Sequence, residues 1–179
     1  MSSSQSKLIL EFNLQDTFFS HASSVHLGAA QTSPVLPTTW ESWFQAWLEA
    51  MASQLPEADS YELSLRLTDD TEIQTFNAQY RSNNQPTDVL AFAALEVDTP
   101  HPLTPGLSSE PLYLGDILIS VETASRQAQQ HGYSLMTELA WLAAHGFLHL
   151  IGWDHPNDRR LMEMLSQQET LLKLVGLVL

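Results

Sequence analysis

Ser134–His155 reads SLMTELAWLAAHGFLHLIGWDH. From Leu135 to about Leu150 this stretch is apolar on most sides, which predicts a helix buried at the centre of a fold rather than lying on its surface. Ser134 is suited to cap its start and Gly152 to end it. Three of the chain's seven histidines, His145, His149 and His155, sit at or just beyond its C-terminal end. His145 and His149 are four residues apart, so their side chains share one helical face, roughly 6 Å apart at Cβ. A turn at Gly152 can bring His155 back to the same point. Three neutral nitrogen ligands without a fourth from the protein describe an open metal site, where water completes a tetrahedron. Taken singly, a histidine is more often an ordinary core or surface residue; three at this spacing around a helix-ending glycine read as one group. The chain has no cysteine, so nitrogen and oxygen are the available ligands, and imidazole suits zinc, one ion per chain. Zinc lowers the pKa of a bound water to about 7. His21, His26, His101 and His131 fall in loops or at a helix end and read as solvent-facing.

Working outward, Lys7–Leu14 alternates as a strand, and residues 15–37 read as a loop. Thr38 and Glu41 form a capping-box pattern at the head of a helix that Pro56 terminates. Tyr61, Leu63, Leu65 and Leu67 alternate as a second strand. Asp69 and Glu72 cap a second helix whose inner face is Ile73, Phe76 and Tyr80. Asp88–Leu95 is nearly all apolar, the pattern of a strand buried on both faces. Residues 96–111 hold four prolines and Gly106, which reads as an irregular insertion. Leu112–Ser120 is a fourth strand; Ser120 caps a helix over Val121–His131, stopped by Gly132. Pro156 is placed to start a last helix running to about Leu174. The order β-α-β-α-β-β-α-α-α predicts an α+β fold. It is one domain over 1–179, a single mixed four-stranded sheet packed with about five helices and a three-histidine metal site at the end of the central one.

The bulk properties narrow the function. The formal net charge is −14 with only seven Lys and Arg, which argues against a chain-wide grip on nucleic acid. An anionic substrate must be held locally, by a metal or a few arginines. No stretch is long enough to span a membrane, no secretory signal is apparent, and a cysteine-free chain fits a reducing cytoplasm.

The histidine spacing is also that of the metzincin metalloproteases, but those carry a glutamate directly after the first histidine as general base. Here that position is Gly146, which cannot take a proton. HGFLHLIGWDH instead resembles the signature of the YbeY family of bacterial metal-dependent endoribonucleases. Asn77–Phe92 (NAQYRSNNQPTDVLAF) is similar to the family's Asn-x-x-Tyr-Arg and Pro-Thr-Asp-Val-Leu-Ser-Phe segment, and Leu114–Ser120 (LGDILIS) to its Leu-Gly-Asp-Ile strand. Glu138-Leu139 also fits, so the likeness covers roughly residues 61–155. Ala91 replaces a usual serine and Trp153 a common tyrosine. The resemblance implies a cytoplasmic, zinc-dependent, single-strand-specific endoribonuclease of small-subunit rRNA 3′-end maturation and ribosome quality control. It implies rRNA precursor and the small ribosomal subunit or its proteins as partners, with no DNA and no membrane. His145, His149 and His155 match its zinc ligands and Arg81 its functional arginine.

Phosphodiester cleavage builds negative charge on phosphoryl oxygens, which a guanidinium fork can hold. Arg81 is the candidate; on spacing alone it would instead be a helix-end arginine satisfying carbonyls. Asp154 can orient a ligand imidazole or, the slightly preferred reading, cap the helix at Pro156. Thr87 and Asp88 can shape the loop after Arg81, or Asp88 can simply start a strand. Asp116, mid-strand, is either a buried anchor, the preferred role, or part of the cleft. The nucleophile, a metal-bound water or the RNA 2′-hydroxyl, stays open. Two other readings remain: a non-catalytic small-subunit assembly factor with a structural zinc, and a metal-dependent hydrolase of another phosphoester.

Overall fold

The computed structural model describes residues 7–20, 32–96 and 110–179. Among these, the chain runs β1 (Ile9–Asp16), α1 (Pro37–Ala50), β2 (Ser60–Thr68), α2 (Asp70–Arg81), β3 (Val89–Ala93), β4 (Leu112–Ser120), α3 (Val121–His131), α4 (Leu135–Leu150) and α5 (Asp158–Leu174). The order and types are those the sequence patterns give. Most of the 96–111 insertion, and residues 21–31 of the first loop with His21 and His26, lie outside the described residues, as does His101.

The sheet order is β1-β2-β4-β3. β1, β2 and β4 are parallel, and β3 pairs antiparallel with β4 at one edge, which makes the sheet mixed. Alternation along the strands gives two different faces. Leu63, Leu65, Ile117 and Ile119 are buried on one, against the aromatic cluster of α1 and the apolar surface of α4. On the other, α2 lays Ile73 over Leu90 and Leu118. The larger layer is tied together by Phe44 and Phe147, whose ring centroids are 6.1 Å apart, and by Trp47, whose indole N–H donates to the Leu171 carbonyl at 2.9 Å. That bond links α1 to α5 inside the core.

α4 lies at the middle of this layer, packed against β3, β4, α3 and α5. Ser134 caps it, accepting from Thr137 N–H, and the helix buries Leu139, Leu142, Phe147 and Leu148. Gly146 is where it comes closest to the sheet: a Cβ there would stand 2.7 Å from Ile117 Cγ2, inside van der Waals contact. The glycine that removes a protease's base is therefore also the residue that lets the helix seat on β4.

Four expectations are corrected. α1 starts two residues early: Leu36 is at the cap and Pro37 occupies the first helical position, where its missing N–H costs nothing, so Thr38 lies inside the helix and its capping box with Glu41 does not form. The helix closes at Ala50 and passes through a 3-10 turn, Ala52–Gln54, before Pro56. On α2, Tyr80 is exposed rather than inward, while Asn77 is buried, donating from Nδ2 to the Gln85 carbonyl at 2.8 Å. A buried amide that holds the following loop thus takes the place given to an aromatic ring. β3 is an edge strand, with Leu90 its one buried residue. Its apolar run reflects partial cover on each face, not burial between layers. β1 also extends to Asp16, pairing with Leu67 two residues into the stretch read as loop.

Gly146→Ala is expected to lower the unfolding free energy by about 1–3 kcal/mol through overpacking against Ile117. The shift should appear in the urea midpoint at unchanged slope. An unchanged midpoint would mean that the helix can lift from β4 without loss.

Candidate metal centre

α4 ends in two backbone bonds across a left-handed glycine. Trp153 N–H donates to the Leu148 carbonyl at 2.9 Å and Gly152 N–H to the His149 carbonyl at 3.1 Å, with Gly152 at φ +98°. This is a Schellman motif, which reverses the chain tightly and suits glycine. Its consequence is positional: His155, six residues beyond His149, returns to the face that carries His145 and His149. One nitrogen from each of the three rings lies within 4.8 Å of the others. The Nε2 atoms of His145 and His149 are 3.0 Å apart, and the ring of His155 lies 5.5 and 5.2 Å from theirs. For nitrogens about 2.0–2.1 Å from a tetrahedral ion, a separation slightly above 3 Å follows from geometry. The donor set therefore fits a metal ion.

Electrostatics favour the ligand form. Burial pushes the His149 pKa down to about 4, helped by the neighbouring charges His145 and His155 would carry. Burial also lowers His145, partly offset by its hydrogen bond to Gln168. Both rings are thus neutral near pH 7, with lone pairs available. His145 and His149 are half-buried and His155 is exposed, so the group opens to solvent on one side.

The histidines form one wall of a cleft of about 460 Å³. Arg81 from the end of α2, Asp88 before β3, the inward residues Val89, Ala91 and Ala93 of β3, Trp153 and Asp154 complete it. Arg81 donates from Nη2 to the Ala91 carbonyl at 3.0 Å, with its guanidinium carbon 5.9 Å from the Phe92 ring centroid. It is at once a carbonyl-satisfying arginine and a residue of the cleft. Asp88 is held on several sides: its carboxylate accepts from Val89 N–H at 2.7 Å and from Gln127 Nε2 at 3.0 Å, and its backbone carbonyl accepts from Ser120 N–H. The Thr87 hydroxyl donates to the same carboxylate at 3.3 Å, but Thr87 does not line the cleft. Trp153 donates its indole N–H to Gln54, which pins it beside the histidines.

Two sequence-predicted residues lie elsewhere or act differently. Asp154 does not cap the last helix: Asn157 does, accepting from Arg160 N–H, so that α5 begins at Asp158 rather than at Pro156. The Asp154 carboxylate instead accepts from His155 N–H at 2.8 Å, bracing the loop that carries the third ring. Asp116 is on the far face of the sheet, in a second hollow with Ser64, Phe76 and Tyr80, hydrogen-bonded to Tyr113, whose hydroxyl pKa rises chiefly through burial. It is not part of the metal cleft. His131 is half-exposed, yet its Nδ1 lies 3.1 Å from the carboxylate of buried Glu138, so it is more than a solvent-facing ring.

Sequence reasoning missed Gln168, which is fully buried on α5 with its Oε1 3.1 Å from His145 Nδ1. Its signal was present: Met164, Gln168, Leu171 and Leu172 form the apolar stripe of α5, and one member is polar. Gln127, which holds Asp88, carried no comparable mark.

The lowered histidine pKa values give a pH signature for the metal-free protein. Unfolded histidine titrates near 6.5 and folded His149 near 4, so the unfolded chain binds more protons between them. Stability is expected to be fully present above about pH 6.5 and to fall as pH drops toward 4. The thermal midpoint of metal-free protein should decline across that window, and less so in His149→Asn. Equal slopes in both would remove His149 as the cause.

The sequence model described as Endoribonuclease YbeY matches residues 28–176. Proteins named Endoribonuclease YbeY are 57% identical over 169 residues in Nostoc sp., covering 94% of this chain and 91% of that protein, and 56% identical in Trichormus variabilis, covering 94% and 95%. The Synechocystis sp. protein of the same name is 46% identical over 173 residues, covering 97% and 94%. The fold is similar to the solution structure of a Thermotoga maritima protein, with TM-score 0.52 and 20% identity, covering 92% of this chain and 89% of that one. With matches of this extent running through the histidine turn, the Arg81 segment and the β4 strand, the chain belongs to the YbeY endoribonuclease family.

Proposed function

We propose that this chain is a zinc-dependent, single-strand-specific endoribonuclease of the cytoplasm, acting in small-subunit rRNA 3′-end maturation and ribosome quality control. The carrying observation is that one cleft joins a three-histidine group to Arg81 and admits solvent beside both. The family to which the chain belongs is named for endoribonuclease activity, the cleavage of RNA within the strand.

Zinc bound here would supply Lewis acidity toward a phosphoryl oxygen and a water of lowered pKa. The protein's own contribution is positional. His145 and His149 hold their nitrogens from a rigid buried helix, and Asp154 braces the loop that brings in His155. Arg81 spends one N–H on the Ala91 carbonyl and offers its remaining donors to the phosphate, where a planar fork binds two oxygens. Asp88 lies in the same cleft with both carboxylate oxygens hydrogen-bonded within the protein, which suits it to shaping the wall rather than to proton transfer.

The net charge of −14 leaves little general attraction for RNA, so productive encounter depends on this local site or on a basic partner. The second observation favours docking on the small ribosomal subunit through its proteins, with the cleft presented to the rRNA. It is compatible with cleavage. A purely structural zinc is disfavoured by the exposure of His155 and the openness of the cleft, since structural sites are closed by four protein ligands. Proteolysis is disfavoured by Gly146, where no side chain fits beneath Ile117. Among the described residues, no helix is long and apolar enough to cross a membrane.

Zinc-loaded protein is expected to cut single-stranded but not duplex RNA, with the activity lost in His149→Ala purified in parallel. Arg81→Ala should keep its zinc and lose rate by about 10²-fold or more, as for removal of one oxyanion-stabilising donor. Cutting that persists equally in His149→Ala would mark a contaminant and return the chain to an assembly role. Cleavage confined to small phosphoesters in a substrate panel would move the activity to another phosphoester.

A further inference from the structure

We propose that Gln168 is a positioning residue for the metal centre: its side chain fixes the tautomer of His145 and thereby aims the Nε2 lone pair of that ring at the ion. The inference rests on the metal-centre reading above and adds a residue from α5 to it.

The argument is one of donors and acceptors. Gln168 Nε2 lies 3.0 Å from the Trp141 backbone carbonyl, an atom that can only accept. The amide end facing it must therefore be the NH2. That leaves Oε1, an acceptor only, 3.1 Å from His145 Nδ1. A neutral imidazole facing an acceptor at Nδ1 carries its proton there. Its Nε2 is then unprotonated, and this is the atom 3.0 Å from His149 Nε2 at the focus of the ligand group. In the other tautomer two lone pairs would oppose each other at Gln168, and an N–H would point into the site.

Packing does not call for glutamine at this position. Gln168 is fully buried in a stripe with Met164, Leu171 and Leu172, where leucine would complete an apolar face. A buried carboxamide is costly unless both ends are bonded. Here both ends are, one to the helix that carries His145 and one to His145 itself. The same contact holds the ring's rotation, as outer partners of metal-bound histidines generally do.

Three variants test the assignment: Gln168→Leu, Gln168→Met and Gln168→Glu, with folding of each checked by circular dichroism and thermal melting. Metal-free protein at mildly alkaline pH is read by two-bond proton–nitrogen NMR at His145. Zinc affinity is measured by competition with a chromophoric chelator. Wild type and Gln168→Glu are expected to show His145 protonated at Nδ1, because a carboxylate also accepts. The Leu and Met variants should show the Nε2-protonated form or a mixture. Zinc affinity should fall about 10- to 100-fold in Leu and Met. Wild-type His145 protonated at Nε2 would overturn the proposal. So would unchanged zinc affinity in a folded Leu or Met variant. Absence of zinc uptake by the wild type would sink the metal-centre reading itself, and this proposal with it. Normal uptake with unaltered affinity in Gln168→Leu would sink this proposal alone.

Discussion

The seat of α4 on β4 is the contact from which the rest of the structure follows. A helix that carries two ligands four residues apart is useful only if it cannot rotate or slide. α4 is held by close approach to Ile117 at Gly146 on one side and by Phe147 within the α1 aromatic cluster on the other. Gly146 lies directly after His145, so the point of tightest packing and the first ring of the candidate metal centre are adjacent in the chain. The core thereby fixes the ligands' direction, and the Schellman turn at Gly152 fixes where the chain goes next.

β3 stands between two environments. Its inward residues Val89, Ala91 and Ala93 are small or half-buried and leave room for the cleft. Its outward residues Leu90 and Phe92 join α2 in a separate apolar cluster. Arg81 crosses between them, with its guanidinium near the Phe92 ring and its N–H on the Ala91 carbonyl. A strand buried on both faces could not do this. The edge position overturned the reading of Asp88–Leu95 as a fully enclosed strand, and it is the same feature that leaves the cleft beside the histidines open.

How much was legible depended on how local the cause was. Element order, the caps at Asp69, Ser120 and Ser134 and the histidine turn were all readable, because short-range backbone geometry dictates them. Asn157 displacing Asp154 as the cap of α5 was a choice between two good capping residues three apart, which spacing does not decide. Tyr80 and Asn77 exchanged places because periodicity marks a face without saying which member bonds the next loop. Asp116 fell on the far side of the sheet, which only the pairing register of β4 with β2 and β3 reveals. Gln168 is 23 residues from the histidine it touches, and helical pattern alone could report it only as an oddity in an apolar stripe.

The three rings of the candidate metal centre are not mechanically equal. Two project from a buried helix, while the third sits on an exposed loop braced by one carboxylate contact. For an ion held by these rings, dissociation need not unfold the core. Swinging His155 outward leaves a two-coordinate chelate on α4, which solvent or a competing chelator can then strip. Exchange kinetics would then be governed by the loop, and affinity largely by the helix. A site built this way would let an ion leave and return without cost to the shape of the protein.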